Sequence, residues 1–375
     1  MHLLQWLFKH KKLSEVYIAL TLYSIGISLT GIFIPIYLIE LGFSLKQALL
    51  YVFISNLALF VSIPFVSYLT SRIGLQNTTL IRIPFFILSY LGLVLIPTMP
   101  VFYWISSVSS GIALVLFSLP VQMFFLHSSS LKEQGSEVGL FFSVPTLFRV
   151  ATPAIGGLIA VSLGFNVLIL IGMAIIVLST APLFFSSRER ISYSFNFRDV
   201  FSRKDSSFVA MTVSNGFEYV TTVILFPLLI FLTLNSTESV GFIKSLGKLV
   251  FATGAFFVGR YLDRGNIKLI YVISASVFAI SLFVRPFLST ALEFSLVMML
   301  GSAASAWYNT TYETVAFSSA HKHKKSDSFL IFKEMLLYFS ATVLLGIVLI
   351  VPYTYGFFIT SIALVISAFI VYKNK

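Results

Sequence analysis

The sequence contains no cysteine and few charged residues. Across its 375 residues the cysteine count is 0, and Asp, Glu, Lys and Arg together make up 10%. The absence of cysteine excludes disulfide bonds, thiolate metal sites and cysteine nucleophiles. Soluble globular proteins carry about 25% charged residues, so a chain this poor in charge does not have the composition of an ordinary soluble protein.

The scarce charge is also unbalanced. Lys and Arg number 25 against 14 Asp and Glu, which gives a formal net charge of +11, and apolar residues make up 58% of the chain. Such a surplus in a soluble protein suggests nucleic acid, but here the basic residues lie between apolar runs, which favours a lipid bilayer. We therefore expect the bilayer, and no nucleic acid, among the partners of this protein.

Long apolar runs are what the sequence has in abundance. A membrane-spanning helix needs about 20 mostly apolar residues. By that criterion we count about twelve runs, near residues 15–39, 46–70, 78–97, 100–126, 137–161, 165–186, 208–233, 239–262, 267–287, 291–318, 328–351 and 354–372. Only helices or closed barrels satisfy the backbone in lipid, and the runs lack the alternation of barrel strands, so they predict helices.

Basic residues fall in alternate connections between these runs. They lie near positions 9–12, 72, 132, 188–204, 260–268, 322–325 and 373–375, whereas the other connections hold little beyond Lys46, with Arg285 near a helix end. The positive-inside rule then places both termini and the middle connection in the cytoplasm. We predict a multi-pass protein of the cell membrane, either an inner or a plasma membrane.

One charged turn occurs twice. Residues 259–268 read Gly-Arg-Tyr-Leu-Asp-Arg-Gly-Asn-Ile-Lys, and 192 positions earlier residues 67–76 read Ser-Tyr-Leu-Thr-Ser-Arg-Ile-Gly-Leu-Gln. The same offset relates Pro35 to Pro227, and Gly164 to Gly356. Landmarks that recur at one spacing indicate duplication of a large unit. We predict two related halves, residues 1–186 and 208–375, joined by a cytoplasmic linker at 187–207.

The repeated turn resembles the loop motif of the major facilitator superfamily, Gly-x-x-x-Asp-Arg-x-Gly-x-Arg/Lys, found after the second helix and often echoed after the eighth. The second copy keeps Gly259, Asp263, Arg264 and Lys268, and the first keeps Arg72 and Gly74. The resemblance implies an all-α integral membrane fold, with twelve transmembrane helices in two pseudo-symmetric six-helix bundles. It also implies a gating role for both turns, and a central cavity lined by helices 1, 4, 7 and 10.

Ionisable residues near the middle of predicted spans are functional candidates, because each costs at least about 2.5–3.5 kcal/mol to insert. They are Glu218, Arg149 and Lys248, with Lys244 one helical turn from Lys248. Glu218 is the leading candidate for coupling, and two interpretations are open: it exchanges a proton, or it forms a static bridge to Lys248. Arg149 either anchors an anionic substrate or pairs with an acidic group.

The fifth run carries a partial glycine pattern. It resembles the pattern Gly-x8-Gly-x3-Gly-Pro-x2-Gly-Gly of drug–proton antiporters in the same superfamily. The matching residues are Gly139, Pro153, Gly156 and Gly157, while Phe148 and Thr152 replace two glycines. Small residues and a proline also let a helix bend and pack closely, so tight packing is the alternative interpretation.

The tenth run has polar residues at helical spacing, namely Ser302, Ser305, Asn309 and Glu313. They predict either a cavity wall that binds an organic solute or hydrogen bonds between helices. Lys333, Glu334, Glu313 and the Asp263-Arg264 turn are expected to form one cytoplasmic gate network. The third and sixth runs of each half are expected to face lipid, because runs 165–186 and 354–372 carry no internal charge and Arg82 and Arg285 lie near the ends of their runs.

We predict a secondary active transporter that moves a small organic solute by alternating access. Proton coupling through Glu218 is a hypothesis, and the partial pattern of the fifth run favours export. The alternatives are an uptake symporter for a sugar or organic acid, and a transport-inactive sensor with the same fold. No phosphate-binding loop, metal set or nucleophile–base set is visible, so we expect no enzyme activity, cofactor or metal. We also expect a monomer.

Overall fold

The computed structural model describes residues 11–129, 134–182, 205–263, 265–323 and 326–374, with side chains from residue 18 onward. Within these ranges all regular structure is helical, which confirms the predicted all-α fold. The first six segments, called the N-half, are α1 (Ile18–Glu40), α2 (Leu45–Ile73), α3 (Leu75–Leu95), α4 (Phe102–Ser128), α5 (Gln134–Leu163) and α6 (Phe165–Leu178).

The C-half comprises α7 (Ser206–Leu234), α8 (Thr237–Leu262), α9 (Ile267–Phe287), α10 (Ala291–Lys322), α11 (Ser326–Val348) and α12 (Tyr355–Lys373). Ten of the segments in the described residues are long and apolar enough to cross a membrane, while α6 is shorter and α10 carries the polar stripe. The predicted runs agree with the helices to within a few residues at most ends. Most of the predicted linker at 187–207 lies outside the described residues, and the division into two domains stays a prediction.

Short turns connect α2 to α3 and α5 to α6. Gly74 has φ +87° and is both the last cap of α2 and the first cap of α3, and Gly164 has the same φ between α5 and α6. Only glycine adopts this conformation without a steric cost, so these residues let two helices meet across a single residue. The end of the bundle that carries the two repeated turns, at Gly74 and Asp263, is here called the motif end.

Three helices are interrupted, each just before a proline. A 3-10 turn at Gly31–Phe33 divides α1 ahead of Pro35, and residues 149–151 divide α5 ahead of Pro153. A π-helical stretch at Val220–Leu225 divides α7 ahead of Pro227. A proline lacks the N–H of a helical hydrogen bond and its ring clashes with the preceding turn, which accounts for the position of each break.

Glycines bring α5 and α8 together across the interface between the halves. A Cβ at Gly259 would lie 2.6 Å from the carbonyl oxygen of Gly135 and 2.9 Å from the Cα of Gly139. Farther along the same helices, a Cβ at Gly241 would lie 2.4 Å from the carbonyl oxygen of Pro153. The two backbones are therefore in direct contact at two levels, as small residues allow in membrane helices. Gly139 of the partial antiporter pattern serves this packing.

The remaining glycines of that pattern also lie against neighbouring backbone. A Cβ at Gly156 would lie 2.4 Å from the carbonyl oxygen of Leu29 in α1, and one at Gly157 would lie 3.0 Å from that of Thr237 in α8. Pro153 begins the second part of α5. Tight packing thus accounts for each matched residue, and an antiporter role stays a prediction.

Two residues expected near lipid are buried instead. Arg82 of α3 is 0% exposed and Arg285 at the end of α9 is 1% exposed. The expectation that these helices simply face lipid was wrong for their charged positions, because aromatic side chains from neighbouring helices enclose both guanidinium groups. Arg82 lies over the ring of Phe117 at 4.1 Å, and Arg285 lies over the ring of Phe226 at 4.1 Å.

We expect Gly259→Ala to lower the free energy of unfolding by about 1–3 kcal/mol, because its methyl group overlaps the α5 backbone. Gly346→Ala is the matched control, since its Cβ would lie 3.5 Å from the Phe53 side chain, an ordinary contact. Both changes replace glycine by alanine inside a helix and raise helix propensity equally. The difference between their free energies of unfolding therefore measures the steric overlap of the new methyl group with the α5 backbone. Thermal unfolding in detergent measures it, and equal melting temperatures for the two variants would contradict the close approach.

Candidate functional site

A cavity of about 300 Å³ lies between the two halves. Helices α1 to α5 of the N-half and α7 and α8 of the C-half form its wall. Most of the wall is apolar or aromatic, with rings contributed by Tyr51, Phe86, Tyr90 and Tyr219. All three interrupted helices contribute residues at or beside their breaks, so the irregular backbone lines a cavity rather than lipid.

Three cationic side chains line this cavity, and no acidic side chain does so within the described part of the chain. Arg149 comes from the break in α5, and Lys244 and Lys248 come from α8. The two lysines are four residues apart and share one face of the helix. The cavity wall therefore carries a surplus of positive charge, contributed by both halves.

A chain of hydrogen bonds joins Lys248 to the break in α5. The Nζ atom of Lys248 donates to the hydroxyl of Ser28 in α1. The Ser28 and Thr152 hydroxyl oxygens are 2.6 Å apart, and the Thr152 hydroxyl lies 2.8 Å from the Arg149 carbonyl oxygen. Because that carbonyl only accepts, a consistent chain runs from Lys248 through Ser28 and Thr152 to Arg149. The interruption in α5 thus supplies a backbone acceptor that connects the two halves.

The Arg149 side chain is only partly satisfied. Its Nη2 donates to the Thr146 hydroxyl at 3.0 Å, whereas its Nε has no hydrogen-bond partner. Arg149 forms no ion pair within 4 Å among the residues described, so the acidic partner considered from the sequence is not found there. A guanidinium group with free donors, lining a cavity, is suited to binding an acceptor on a ligand.

Glu218 lies behind the lysine side of the cavity and is 7% exposed. Its carboxylate interacts electrostatically with Arg285 and Lys244 and approaches the side chains of Thr222 and Asn309. Lys244 also donates to the Thr222 carbonyl oxygen at 3.0 Å. Glu218 is therefore an acidic neighbour of two cations, although among the described residues it forms no ion pair within 4 Å with either.

The bridge between Glu218 and Lys248 that the sequence left open is not formed. Lys248 contacts Ser28, and its charged neighbours are Arg149 and Lys244. The structure places Glu218 among its own group of cations instead. Whether Glu218 carries a proton stays a prediction.

Asn309 of α10 belongs to a hydrogen-bond network between helices. It accepts from the Asn215 amide of α7 at 2.9 Å and donates to the Ser305 hydroxyl at 3.0 Å. Asn309 and Ser305 do not line the 300 Å³ cavity. Of the two interpretations of the polar stripe, hydrogen bonding between helices describes these residues.

Glu313 lines a second cavity of about 190 Å³, nearer the motif end. Lys333 of α11, which is 1% exposed, lies 2.6 Å from the Glu313 carboxylate and 3.4 Å from that of Glu334. Lys333 also donates to the side-chain oxygen of Gln122 in α4 at 3.0 Å. The predicted network of Lys333, Glu334 and Glu313 therefore forms, and through Gln122 it joins the two halves.

Asp263 makes a separate contact between the halves. Its carboxylate accepts from the backbone N–H of Gly135 at 2.8 Å and of Ser136 at 3.1 Å, and from the Ser136 hydroxyl. These N–H groups belong to the first turn of α5, where a helix favours a negative charge. Asp263 contacts α5 rather than Glu313 or Lys333, so the single gate network expected from the sequence is two networks.

The first copy of the turn makes contacts within its own half. Arg72 lies over the Tyr68 ring at 5.2 Å, and Gly74 supplies the left-handed turn described above. Arg264 of the second copy lies outside the described residues. The two turns therefore differ in their contacts. The first copy has Ser71 at the position of Asp263, so it lacks the carboxylate that contacts α5 in the second copy. A gating role for either turn stays a prediction.

Sequence reasoning missed the part that Arg285 and Arg82 play in the interior. Arg285 interacts with Glu218. Arg82 donates to the Ser179 hydroxyl at 2.6 Å and lies over the Tyr23 ring at 4.9 Å. An arginine inside an otherwise uncharged apolar run was the available signal, because such a residue rarely faces lipid.

The geometry defines a class of protein. A bundle of membrane-spanning helices in two halves, with interrupted helices around a charged cavity at their interface, is the architecture of a secondary transporter. The model of the Major Facilitator Superfamily matches residues 16–344, and the chain belongs to this family. Proteins of this family are transporters, so the chain is a multi-pass membrane protein of a transporter family.

Solved structures share this fold at low sequence identity. A bacterial homologue of the iron transporter ferroportin, in an outward-facing state, is similar with a TM-score of 0.73 and 11% identity, over 96% of this chain and 98% of that one. The human organic anion transporter MFSD10 (TETRAN) is similar with a TM-score of 0.68 and 12% identity, over the same shares. At such identity the likeness shows the fold alone. No curated protein sequence matches the chain.

We expect Asp263→Ala to open the motif end. Loss of a helix cap costs about 1 kcal/mol, which raises the open population about fivefold. Because the chain has no cysteine, a single Ser118→Cys change in the 190 Å³ cavity reports water access through its labelling by a water-soluble maleimide. We expect the labelling rate to rise about fivefold.

The matched control is Asp205→Ala. Asp205 also caps a helix, by accepting from the Ser207 N–H at 3.3 Å, but this contact lies within the C-half. Its loss should leave labelling at Ser118→Cys unchanged. Equal labelling of the Asp263 and Asp205 variants would show that Asp263 does not hold the halves together.

Proposed function

We propose that this protein is a secondary transporter of small amphipathic organic anions and works by alternating access. The observation that carries the proposal is a set of three basic side chains, Arg149, Lys244 and Lys248, that line a cavity between the halves, with no acidic side chain among the described residues of its wall. An organic anion supplies the missing negative charge. Two opposite unit charges 4 Å apart attract by about 4 kcal/mol at an effective dielectric constant near 20, so the cavity discriminates strongly by the sign of charge.

The shape and surface of the cavity support an apolar body on this anion. Its volume of about 300 Å³ is at the lower end of the usual range for ligand pockets. Rings from Tyr51, Phe86, Tyr90 and Tyr219 supply apolar contact area away from the cationic groups. A small aromatic or aliphatic acid fits this combination, whereas a neutral sugar leaves the cations uncompensated.

A metal cation is disfavoured as cargo. The described residues contain no cluster of three or more His, Asp or Glu side chains that would hold a metal ion. The cations of the cavity repel a metal ion, so the iron named for one structural neighbour is not the cargo that this site supports. The organic anion named for the human neighbour agrees with the charge of the cavity.

Contacts on both sides of the cavity support alternating access. At the motif end, Asp263 joins α5 to α8, and the His127 ring lies 2.8 Å from the Asp327 carboxylate across the halves. On the other side, apolar residues of α1 such as Ile36 pack with residues of α7 such as Leu225 in one core cluster. Release of one set of contacts while the other holds would open the cavity to one side at a time.

Direction, coupling and orientation remain predictions. Export rests on the partial glycine pattern of α5, whose matched residues pack against α1 and α8. An uptake symporter for an organic acid uses the same cavity. The hypothesis of proton coupling through Glu218 is tested by Glu218→Gln, and unchanged pH-driven transport would end it. Cytoplasmic termini and a monomeric state are likewise carried forward as predictions.

We expect wild-type protein to bind 1-naphthalenesulfonate, an anion with an apolar body that is ionised at any working pH. Arg149→Gln should weaken binding about ten- to a hundredfold, because a charged hydrogen bond contributes about 1.5–3 kcal/mol. Calorimetric titration of detergent-solubilised protein measures the Kd. Arg260→Gln is the control, since Arg260 is exposed at the motif end and lies over the Phe256 ring.

Flux in proteoliposomes then separates the functions. Saturable uptake of 1-naphthalenesulfonate above that of empty liposomes supports a transporter. Binding without flux supports the transport-inactive sensor. Absence of binding, or equal binding by the Arg149 and Arg260 variants, overturns the anion site.

A further inference from the structure

Lys248 is the least compensated cation of the cavity. Lys244 has the cation Arg285 as a charged neighbour, but it also has the acidic Glu218 nearby and donates to a backbone carbonyl. Lys248 has only the neutral hydroxyl of Ser28 as a hydrogen-bond acceptor, and the charges that act on it are two cations, Arg149 and Lys244. No acidic residue faces it among those the structure describes.

The two kinds of cation respond differently to such surroundings. A guanidinium group keeps its proton in proteins, whereas an amine without a counter-charge in a poorly solvated site becomes neutral by releasing one. Arg149 thus holds a fixed positive charge, and Lys248 beside it is the group whose charge can change. The Ser28 hydroxyl is suited to both forms, because it can accept from an ammonium group and donate to a neutral amine.

Other titratable groups face the same cavity but are less suited to this exchange. They are Lys244 and the phenols Tyr51, Tyr90 and Tyr219. Lys244 has the acidic Glu218 as a neighbour and donates to the Thr222 carbonyl oxygen. A phenol gains a negative charge when it loses its proton, which an incoming anion opposes. Lys248 is therefore the group at which an anion and a proton stabilise each other.

We propose that an anion binds in this cavity together with one proton, which is held on Nζ of Lys248. This inference rests on the proposed anion site and adds the identity of its proton carrier. The neutral amine takes a proton from water and becomes an ammonium group, and the anion lies beside it as the counter-charge. When the anion leaves, Lys248 again faces two cations and returns its proton to water.

Linkage makes this arrangement a coupling device. If an anion promotes protonation of Lys248, protonation promotes anion binding to the same extent. Affinity for a permanently ionised anion then rises as the pH falls, by up to tenfold per pH unit while the empty site is deprotonated. The transporter moves the anion and a proton in the same direction, as the equivalent of a neutral acid.

The test uses 1-naphthalenesulfonate, because this probe cannot itself take up the proton. Calorimetric titration in buffers of different ionisation enthalpy gives the number of protons taken up for each anion bound. We expect about one for the wild type at a pH where the empty site is deprotonated, and nearly none for Lys248→Arg, which carries a fixed charge. Lys248→Arg should still bind the probe, and its Kd should no longer change with pH.

Three further variants are compared with Lys248→Arg: one is a control, and two test the other residues that could hold the proton. Lys46→Arg makes the same change at an exposed position in the first turn of α2 and should keep the wild-type proton uptake. Lys244→Arg or Glu218→Gln would lose the uptake if either residue held the proton. Retained uptake in Lys248→Arg, or a loss in one of these two alone, overturns the proposal.

The wild type provides a test that does not depend on how a variant folds. A Kd that is the same at each pH, with no proton taken up at any of them, overturns coupling through Lys248 while leaving the anion site intact. Absence of probe binding to the wild type overturns the anion site and this inference together. Measured uptake with a pH-dependent Kd in the wild type, both lost in Lys248→Arg, supports the proposal.

Discussion

Positive charge held in a poorly solvated interior is the constraint on which the rest of this structure depends. An ionised group removed from water costs several kcal/mol unless a counter-charge or hydrogen bonds compensate it. Glu218 is an acidic neighbour of Lys244 and Arg285, and Glu313 forms an ion pair with Lys333. Among the described residues, basic side chains outnumber acidic ones in the wall of the 300 Å³ cavity, which is why we propose an anion as its ligand. We regard that deficit as the basis of substrate binding.

The backbone holds those charges in place through close approach and interruption. Glycines let α5 and α8 touch, which brings the break that carries Arg149 near the helix that carries Lys248. The prolines that follow each break fix its position, and the freed carbonyl of Arg149 becomes an acceptor in the chain through Thr152 and Ser28. Packing and binding thus use the same helices. Motion of one half against the other must alter the cation cluster, because its members come from both.

Much of the fold could be predicted because it depends on local composition. About twenty apolar residues in a row define a span wherever they occur, and the positions of the helices followed from that rule. Glu218 and Arg149 were selected in the same way, since an ionisable residue in a lipid-spanning run is costly. Arg82 and Arg285 were misjudged because a position near a helix end does not reveal whether aromatic rings of other helices enclose it.

The sequence by itself determined the class of protein, the positions of the helices and the ionisable residues whose insertion into the bilayer costs the most free energy. Only the tertiary structure decided how those residues are grouped. In the folded chain the charged neighbours of Glu218 are Lys244 and Arg285 rather than Lys248, and Asp263 contacts α5 rather than Glu313. The physical reason is that electrostatic partners are chosen by distance across helices. Sequence spacing sets the depth of a residue in the membrane but not the neighbour that it faces.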